Sequence, residues 1–399
     1  MNLIILDTRF YLPGMSKFVL TRYLYIFDEV IVSFISSLLK KQSLDECYFW
    51  ISEVYYSGFI EQAWDLVWYT YYDFYFIQNP SFEPFLSKKF ACYDLKSILT
   101  VVKNLFKMDT TSQIFITRQY YNHIKEVNHV FRGKKPNWLT TYPTKYHALF
   151  RFIDKKLYHF AVSSMPDTIE DDLFQYIQLY FQISDDIIEH FKTRFQECKY
   201  YNQGHIVWSI ICLFIFNTMK GALDTDHYSI KKKTIYIGCS DIEYYEIVQA
   251  HEEPIPLDKF NHPQIYKTLE LKRKYTVYPK CMSFNLMRQV FSDHNNLDIA
   301  RILWHHWEFY AYECPIWNSR FNKYNITVDT NNTKIIFNDD DELESFYSQF
   351  GYDPEEQSTD TQNNGLLLDY NICSWRDWYN DMFSQDPVYS FKDVFKFKY

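Results

Sequence analysis

The chain has 399 residues, with 36 Tyr, 35 Phe and 10 Trp but only eight Gly and thirteen Pro. A typical glycine content of roughly 7% would supply about 28; the eight present, at 14, 58, 133, 204, 221, 238, 351 and 365, are never closer than 14 residues apart, which excludes a Walker A loop, a dinucleotide-binding fingerprint and a nucleophile elbow. The formal net charge is −9, yet screening confines charge to about 8–10 Å, so a local basic patch stays open.

The length suits two to three domains, and the low-glycine, Tyr- and Phe-rich usage is also what an AT-rich genome produces. Residues 1–10 hold six apolar side chains without a basic flank or a small-residue cleavage site, so no signal peptide is expected. The cysteines at 47, 92, 198, 212, 239, 281, 314 and 373 never reach C-x-x-C spacing. Reduced, mostly buried thiols in a cytosolic setting are expected, without zinc. Ser43-Leu44-Asp45-Glu46 has the form of a capping box. Leu44, Cys47, Tyr48, Ile51, Val54 and Tyr55 then recur at helical spacing up to Gly58. A second helix should bury Ile60, Ala63, Trp64, Val67, Trp68, Tyr71 and Tyr75 and stop at Asn79-Pro80; so short a turn predicts that the two pack antiparallel. Asp94 should begin a helix carrying Leu95, Ile98, Leu99, Val102, Leu105 and Phe106.

Farther along, Ile169, Leu173, Ile177, Tyr180 and Phe181 should pair across Ser184 with Ile187, Ile188, Phe191 and Phe195. The apolar run 206–216 is too short to cross a bilayer of about 30 Å, and reads as a buried third helix. The expectation is a mainly α fold, an irregular array of antiparallel helical hairpins (HEAT-like) over residues 1–224, followed by a smaller α+β part over 225–338. In that second part 234–239 alternates like a strand, 241–250 is helical, 297–312 forms an amphipathic helix around Ala300, Leu303, Trp304, Trp307 and Ala311, and 325–337 makes a β-hairpin. Residues 339–374 carry ten Asp or Glu and no Lys or Arg, with 353–365 polar enough to be disordered; 375–399 is an aromatic and basic tail.

The best candidate surface is 117–156, with nine basic residues (Arg118, Lys125, Arg132, Lys134, Lys135, Lys145, Arg151, Lys155 and Lys156) against Glu126 and Asp154, interleaved with Tyr120, Tyr121, Phe131, Trp138, Tyr142 and Tyr146. Basic groups neutralise phosphates while aromatic rings stack on unpaired bases, at roughly 1–3 kcal/mol per stack. Arg132, Lys134, Lys135, Trp138, Lys145, Arg151, Lys155 and Lys156 are therefore the expected nucleic-acid contacts. The same letters also describe a solvated basic face whose aromatics point into the core. Enzyme signatures fail in turn. His251-x-Glu253 lacks the cysteine pair of a zinc deaminase, and the neighbouring His305 and His306 diverge by about 100° on a helix. Asp224-Thr225-Asp226 is a common triplet, and Asp339-Asp340-Asp341-Glu342 imposes no coordination geometry. The sequons at Asn325 and Asn331 need secretion to matter. No cofactor, no metal and no enzymatic activity are expected.

Leu6-Asp7-Thr8-Arg9, Asp45-Glu46-Cys47-Tyr48-Phe49-Trp50, Glu53-Val54-Tyr55-Tyr56-Ser57-Gly58-Phe59, Tyr71-Tyr72-Asp73-Phe74-Tyr75, His306-Trp307-Glu308-Phe309-Tyr310-Ala311, Pro315-Ile316-Trp317 and Gly351-Tyr352-Asp353-Pro354-Glu355-Glu356-Gln357 stand together in this chain. With them the sequence resembles, over nearly its full length, a family of proteins from mimivirus-like giant DNA viruses. The resemblance brings no catalytic or binding residue. It implies a cytoplasmic virus factory, with the virion as the other location, and a virus that carries much of its own transcription and translation apparatus. A helical array with a basic loop is similar in outline to the HEAT-like middle domain of translation-initiation scaffolds, although Tyr266-Lys267-Thr268-Leu269-Glu270-Leu271-Lys272 departs from a cap-binding-partner motif at its final lysine. The expected function is a non-enzymatic scaffold in viral gene expression, with translation initiation as its step. Its partners would be viral or host proteins of that machinery, together with RNA, and no membrane. The alternatives are a minor capsid or internal virion protein, and an enzyme whose site is assembled from distant residues.

Overall fold

Helix-forming stripes dictate most of this structure, a computed structural model that describes residues 19–124, 134–166, 168–220, 235–251 and 306–350, with 378, 379, 382 and 383. It is mainly α, with a small α+β part near the C-terminus. The chain divides into two units that are discontinuous in sequence, unlike the contiguous division at 224/225. One comprises Val67–Gly238 with Phe383; the other comprises Thr8–Leu66 together with Cys239–Met382.

In the second unit, α1 (Phe27–Lys40) and α2 (Leu44–Tyr56) form the most extensively packed helix pair among the described elements. Ser43 caps α2 as its letters require, its hydroxyl accepting from the Glu46 N–H at 3.2 Å. The reciprocal half of the capping box is replaced, because Glu46 accepts from the Trp50 indole N–H at 3.3 Å. The partner of α2 is therefore α1 and not the helix that follows it. Val30, Phe34, Ile35 and Leu38 of α1 are sealed against water, an apolar stripe that outcompetes the turn-linked neighbour. α2 ends at Gly58, whose φ of +91° lets the Phe59 N–H reach back to the Val54 carbonyl at 3.2 Å.

That turn also receives the C-terminal part of the unit. α13 (Trp307–Ala311), α14 (Pro315–Phe321), the hairpin of β1 (Ile326–Asp329) and β2 (Lys334–Phe337), and α15 (Asp340–Phe350) enclose Trp307, Trp317, Phe321 and Phe346, all fully buried. The Cys314 thiol and the Ile316 N–H both donate to the Ser57 carbonyl at 3.2 Å. The hairpin keeps the expected register, with Ile326 opposite Phe337 and Asp329 opposite Lys334. The acidic run 339–342 opens α15, where carboxylates favour the positive end of the helix dipole, and Phe346 ties that helix into the core. Of the helix expected over 297–312, the described part is α13. The polar section 353–365 lies outside the described residues, as does the tail apart from four positions.

In the first unit, α3 (Ile60–Thr70), whose first turns belong to the other unit, runs into a π-helical turn, Tyr71–Tyr75. Then come α4 (Glu83–Phe90), α5 (Leu95–Lys107), α6 (Gln113–Ile124), α7 (His147–Asp154), α8 (Tyr158–Ser163), α9 (Asp172–Phe181), α10 (Asp185–Glu197) and α11 (Gln203–Lys220). Asp94 accepts from the Ser97 N–H at 2.7 Å and caps α5. The expected trio holds, for α9, α10 and α11 pack on one another, and residues 206–216 of α11 are buried throughout. In the other unit, α12 (Asp241–His251) matches the short helix read from the sequence. Among the described residues no helix is long and apolar enough to cross a membrane.

Gly58 leaves no room for a side chain: a Cβ there would lie 2.6 Å from Cβ of Pro315. Gly58→Ala combines that overlap with an unfavourable φ and should lower stability by about 2–4 kcal/mol, read as a reduced urea midpoint. Gly238→Ala meets nothing within 4 Å and should stay within about 0.5 kcal/mol of the parent.

Candidate functional site

The basic-aromatic segment separates into two kinds of residue. Lys134, Lys135, Lys155 and Lys156 are exposed. Lys134 and Lys135 lead into the 3₁₀ turn Asn137–Thr141, and the Lys135 ammonium lies 3.3 Å from Nε2 of His147, the first residue of α7. Lys155 and Lys156 follow the last residue of α7, with Lys156 in the left-handed region at φ +57°. Lys135 beside the first residue of α7 and Lys155 and Lys156 after its last thus lie at the two ends of one eight-residue helix, whose rise of 1.5 Å per residue spans about 12 Å.

Lys145 is not available in the same way. Its ammonium bonds Glu170 at 2.8 Å and Asp172 at 3.2 Å, and the Glu170 carboxylate holds its pKa above the ordinary lysine value. Arg151 is half-buried on α7. The aromatic partners turn inward. Tyr146 is fully buried with its hydroxyl donating to Asp172, and Tyr142 packs against Phe150 with ring centroids 4.7 Å apart. Trp138 is half-buried, edge-on to Tyr142 and tilted against Tyr180. Arg132 lies outside the described residues, as do Lys125 and Phe131. Four of the eight expected contacts are thus exposed, Trp138 is half-buried, and Lys145 is used in a surface ion-pair network.

Arg118, counted in the same basic segment, has a different place. Its Nη1 donates to Oδ1 and Oδ2 of Asp73 at 2.8 and 3.0 Å, and its guanidinium lies over the Tyr69 ring at 4.6 Å. Asp73 belongs to the π-helical turn and has no exposure. Nε2 of His205, from α11, approaches the same Oδ1 at 2.8 Å, and Nδ1 of that ring lies 3.2 Å from the Tyr200 hydroxyl. Since a carboxylate only accepts, Nε2 carries a proton toward Asp73. Burial would push the Asp73 carboxyl up, but Arg118 and His205 together hold it below the usual aspartate value. Tyr72, Trp68 and Tyr200 stack beside it, the Trp68–Tyr200 pair at 5.6 Å. The signal in the sequence was a single acid inside Tyr-Tyr-Asp-Phe-Tyr, where flanking rings leave a charge no solvent and so demand a buried partner.

A hydroxyl, an imidazole and a carboxylate in line have the order of a nucleophilic relay, but Tyr200 and His205 are 2 and 3% exposed. A substrate has no approach, and the arrangement works as a pin between the π-helical turn, α6 and α11. A second pin joins α4 to α10, where Glu83 accepts from Nε of Arg194 at 3.0 Å and pairs with the guanidinium charge, Nη2 lying 2.9 Å away. In the other unit Glu53 faces Arg22 at 3.4 Å and accepts the Tyr23 N–H at 2.9 Å; there desolvation wins, and the carboxyl is pushed up. Burial likewise raises the thiols of Cys47, Cys198 and Cys314 to about 12. Among the described residues no three His, Cys, Asp or Glu side chains come together as a metal site. Asp224, Glu253 and His305 lie outside them.

Asp73→Ala strands Arg118 in the core and should destabilise by about 3–5 kcal/mol in urea titrations. Because the folded pKa of Asp73 is depressed, its contribution is complete above an unfolded pKa of about 3.9 and fades as pH falls through the folded value. Asp73→Asn should therefore flatten the acid limb of the stability profile. Among the six described cysteines, exposed Cys92 should react first with a thiol reagent at neutral pH. Cys47, Cys212 and Cys314 should need unfolding, a contrast read by mass-mapped labelling with and without urea.

No protein-family model, curated protein or solved structure matches this chain.

Proposed function

We propose that the chain is a non-enzymatic helical scaffold of viral gene expression. It acts in translation initiation, engaging RNA through Lys134, Lys135, Lys155 and Lys156 while its helical units hold protein partners. The observation that carries this reading is the exposure of those four lysines, with Lys135 at the start of α7 and Lys155 and Lys156 at its end. A span of about 12 Å suits one stretch of nucleic-acid backbone, and half-buried Trp138 keeps surface for a base among the described aromatics of the segment. One group of side chains with acid–base chemistry in the first unit supports the same reading. Asp73, His205 and Tyr200 are committed to holding helices together. The setting comes from the resemblance to giant-virus proteins.

Four phosphate contacts on a single strand give a salt slope of about −3 in log affinity against log salt. Fluorescence anisotropy with a labelled single-stranded RNA, repeated across a potassium chloride series, reads that slope directly. Lys134→Glu with Lys135→Glu, both at exposed positions, should weaken binding about tenfold or more and make the slope shallower. Unchanged affinity in that double variant would remove RNA from the proposal.

A further inference from the structure

Residues 234–239 alternate like a strand, but the described part, 235–239, forms no strand. A side chain takes the place of a neighbouring strand. Asn104 of α5 accepts the Ile237 N–H at 2.9 Å and donates to the Ile237 carbonyl at 2.8 Å. One amide can serve both groups of one residue only when they point the same way, as they do in an extended chain whose hydrogen-bonded pairs exchange both bonds. Tyr236 anchors the segment, its ring 5.1 Å from Phe82 and 4.4 Å from Phe85 and its hydroxyl donating to the Ser81 carbonyl at 3.4 Å. The Lys103 ammonium donates to the Gly238 carbonyl at 3.4 Å. The backbone is thus held in a strand conformation from one edge.

In an extended chain successive residues direct their backbone groups to opposite edges. With Ile237 turned to Asn104, the N–H and carbonyl of Tyr236 face the other edge, where they have no protein partner among the described residues. The side chains above that edge are bare, with Ile235 89% and Ile237 43% exposed. At Gly238 even an added Cβ would touch nothing within 4 Å. A pre-formed strand edge carrying exposed β-branched residues is a template for another strand.

The sequence of this edge names its occupant. Ile235-Tyr236-Ile237 reads the same in both directions. Two antiparallel copies centred on Tyr236 bring Ile235 of each opposite Ile237 of the other, while the two Tyr236 residues exchange N–H and carbonyl across the dyad. A two-fold contact needs such self-complementarity.

We propose that residues 235–238 form a homotypic docking strand through which two copies of this chain pair antiparallel about Tyr236. Three residues a side bury far less than the roughly 1,200 Å² of a stable complex, so the pairing is reversible and concentration-dependent. It gives a scaffold two-fold valency where its local concentration is high.

Sedimentation velocity of the full chain from micromolar to submillimolar concentration tests this. The wild type should move from monomer to dimer, and Ile235→Lys with Ile237→Lys should stay monomeric with an unchanged far-ultraviolet circular dichroism spectrum. A wild type that stays monomeric throughout, or a lysine variant that dimerises equally, overturns the proposal. The register has its own readout in a Cys92→Ser background. A mixture of Ile235→Cys and Ile237→Cys proteins should form disulfide-linked dimers under mild oxidation faster than either alone. Faster linkage within either single-variant sample overturns the Tyr236-centred pairing.

Discussion

A carboxylate with no contact to water survives in an aromatic core only if the core supplies what water supplied. Asp73 and Glu53 show how narrow that condition is. Both are fully shielded, and both face an arginine. Asp73 takes two guanidinium contacts at 2.8 and 3.0 Å and an imidazole N–H at 2.8 Å, and its carboxyl stays acidic. Glu53 has its arginine at 3.4 Å, one backbone N–H at 2.9 Å and the Thr21 side chain, and its carboxyl is driven up. The difference is the charge and distance of the partners, a closer arginine and a histidine beside Asp73 against one arginine farther from Glu53, since burial is similar. Because each pin joins segments distant in sequence, the packing of both units depends on these pairings being made.

Some of the large aromatics meet the same condition at their polar tips. The Trp208 indole donates to the Thr117 hydroxyl at 2.9 Å, Trp317 to the carbonyls of Thr21 and Arg22 at 3.2 and 3.1 Å, and Trp378 to Ser36 at 2.8 Å. Tyr48 donates to Glu243 at 2.8 Å. Volume alone would let these rings slide; a buried N–H that must find an oxygen does not. Aromatic bulk supplies the burial here and the polar handles supply uniqueness.

What the sequence displayed was local. Caps at Ser43 and Asp94, the buried run 206–216 and the hairpin 325–337 follow from neighbouring letters, because their causes lie within a few residues of each other. α1 carries no flanking cap signal, since Ile26 precedes it without a side-chain bond, and sequence reading placed no helix there. The pairing of Ser57 with Cys314, across more than 250 residues of chain, has no local cause at all. The candidate surface was half legible for the same reason. Exposed Lys134, Lys135, Lys155 and Lys156 read correctly as basic surface. Arg118 looked alike in the sequence, but its role was decided by Asp73 and His205, both far along the chain.

The scarcity of glycine has a structural consequence as well as an exclusion. Helix ends in which the chain turns through the left-handed region ordinarily place glycine there. In this protein Lys41 ends α1, Lys156 ends α7 and Gln182 ends α9, each with φ above +50°, and Tyr93 turns between α4 and α5 in the same way. Each such residue carries roughly 1–2 kcal/mol of steric penalty relative to glycine. That penalty is tolerable only where packing on either side fixes the turn, and the helices joined here are clamped by buried rings and ion pairs. A composition poor in glycine and rich in Tyr and Phe is therefore self-consistent. The aromatic core, by fixing the helices on either side, is what allows these turns to be made without glycine.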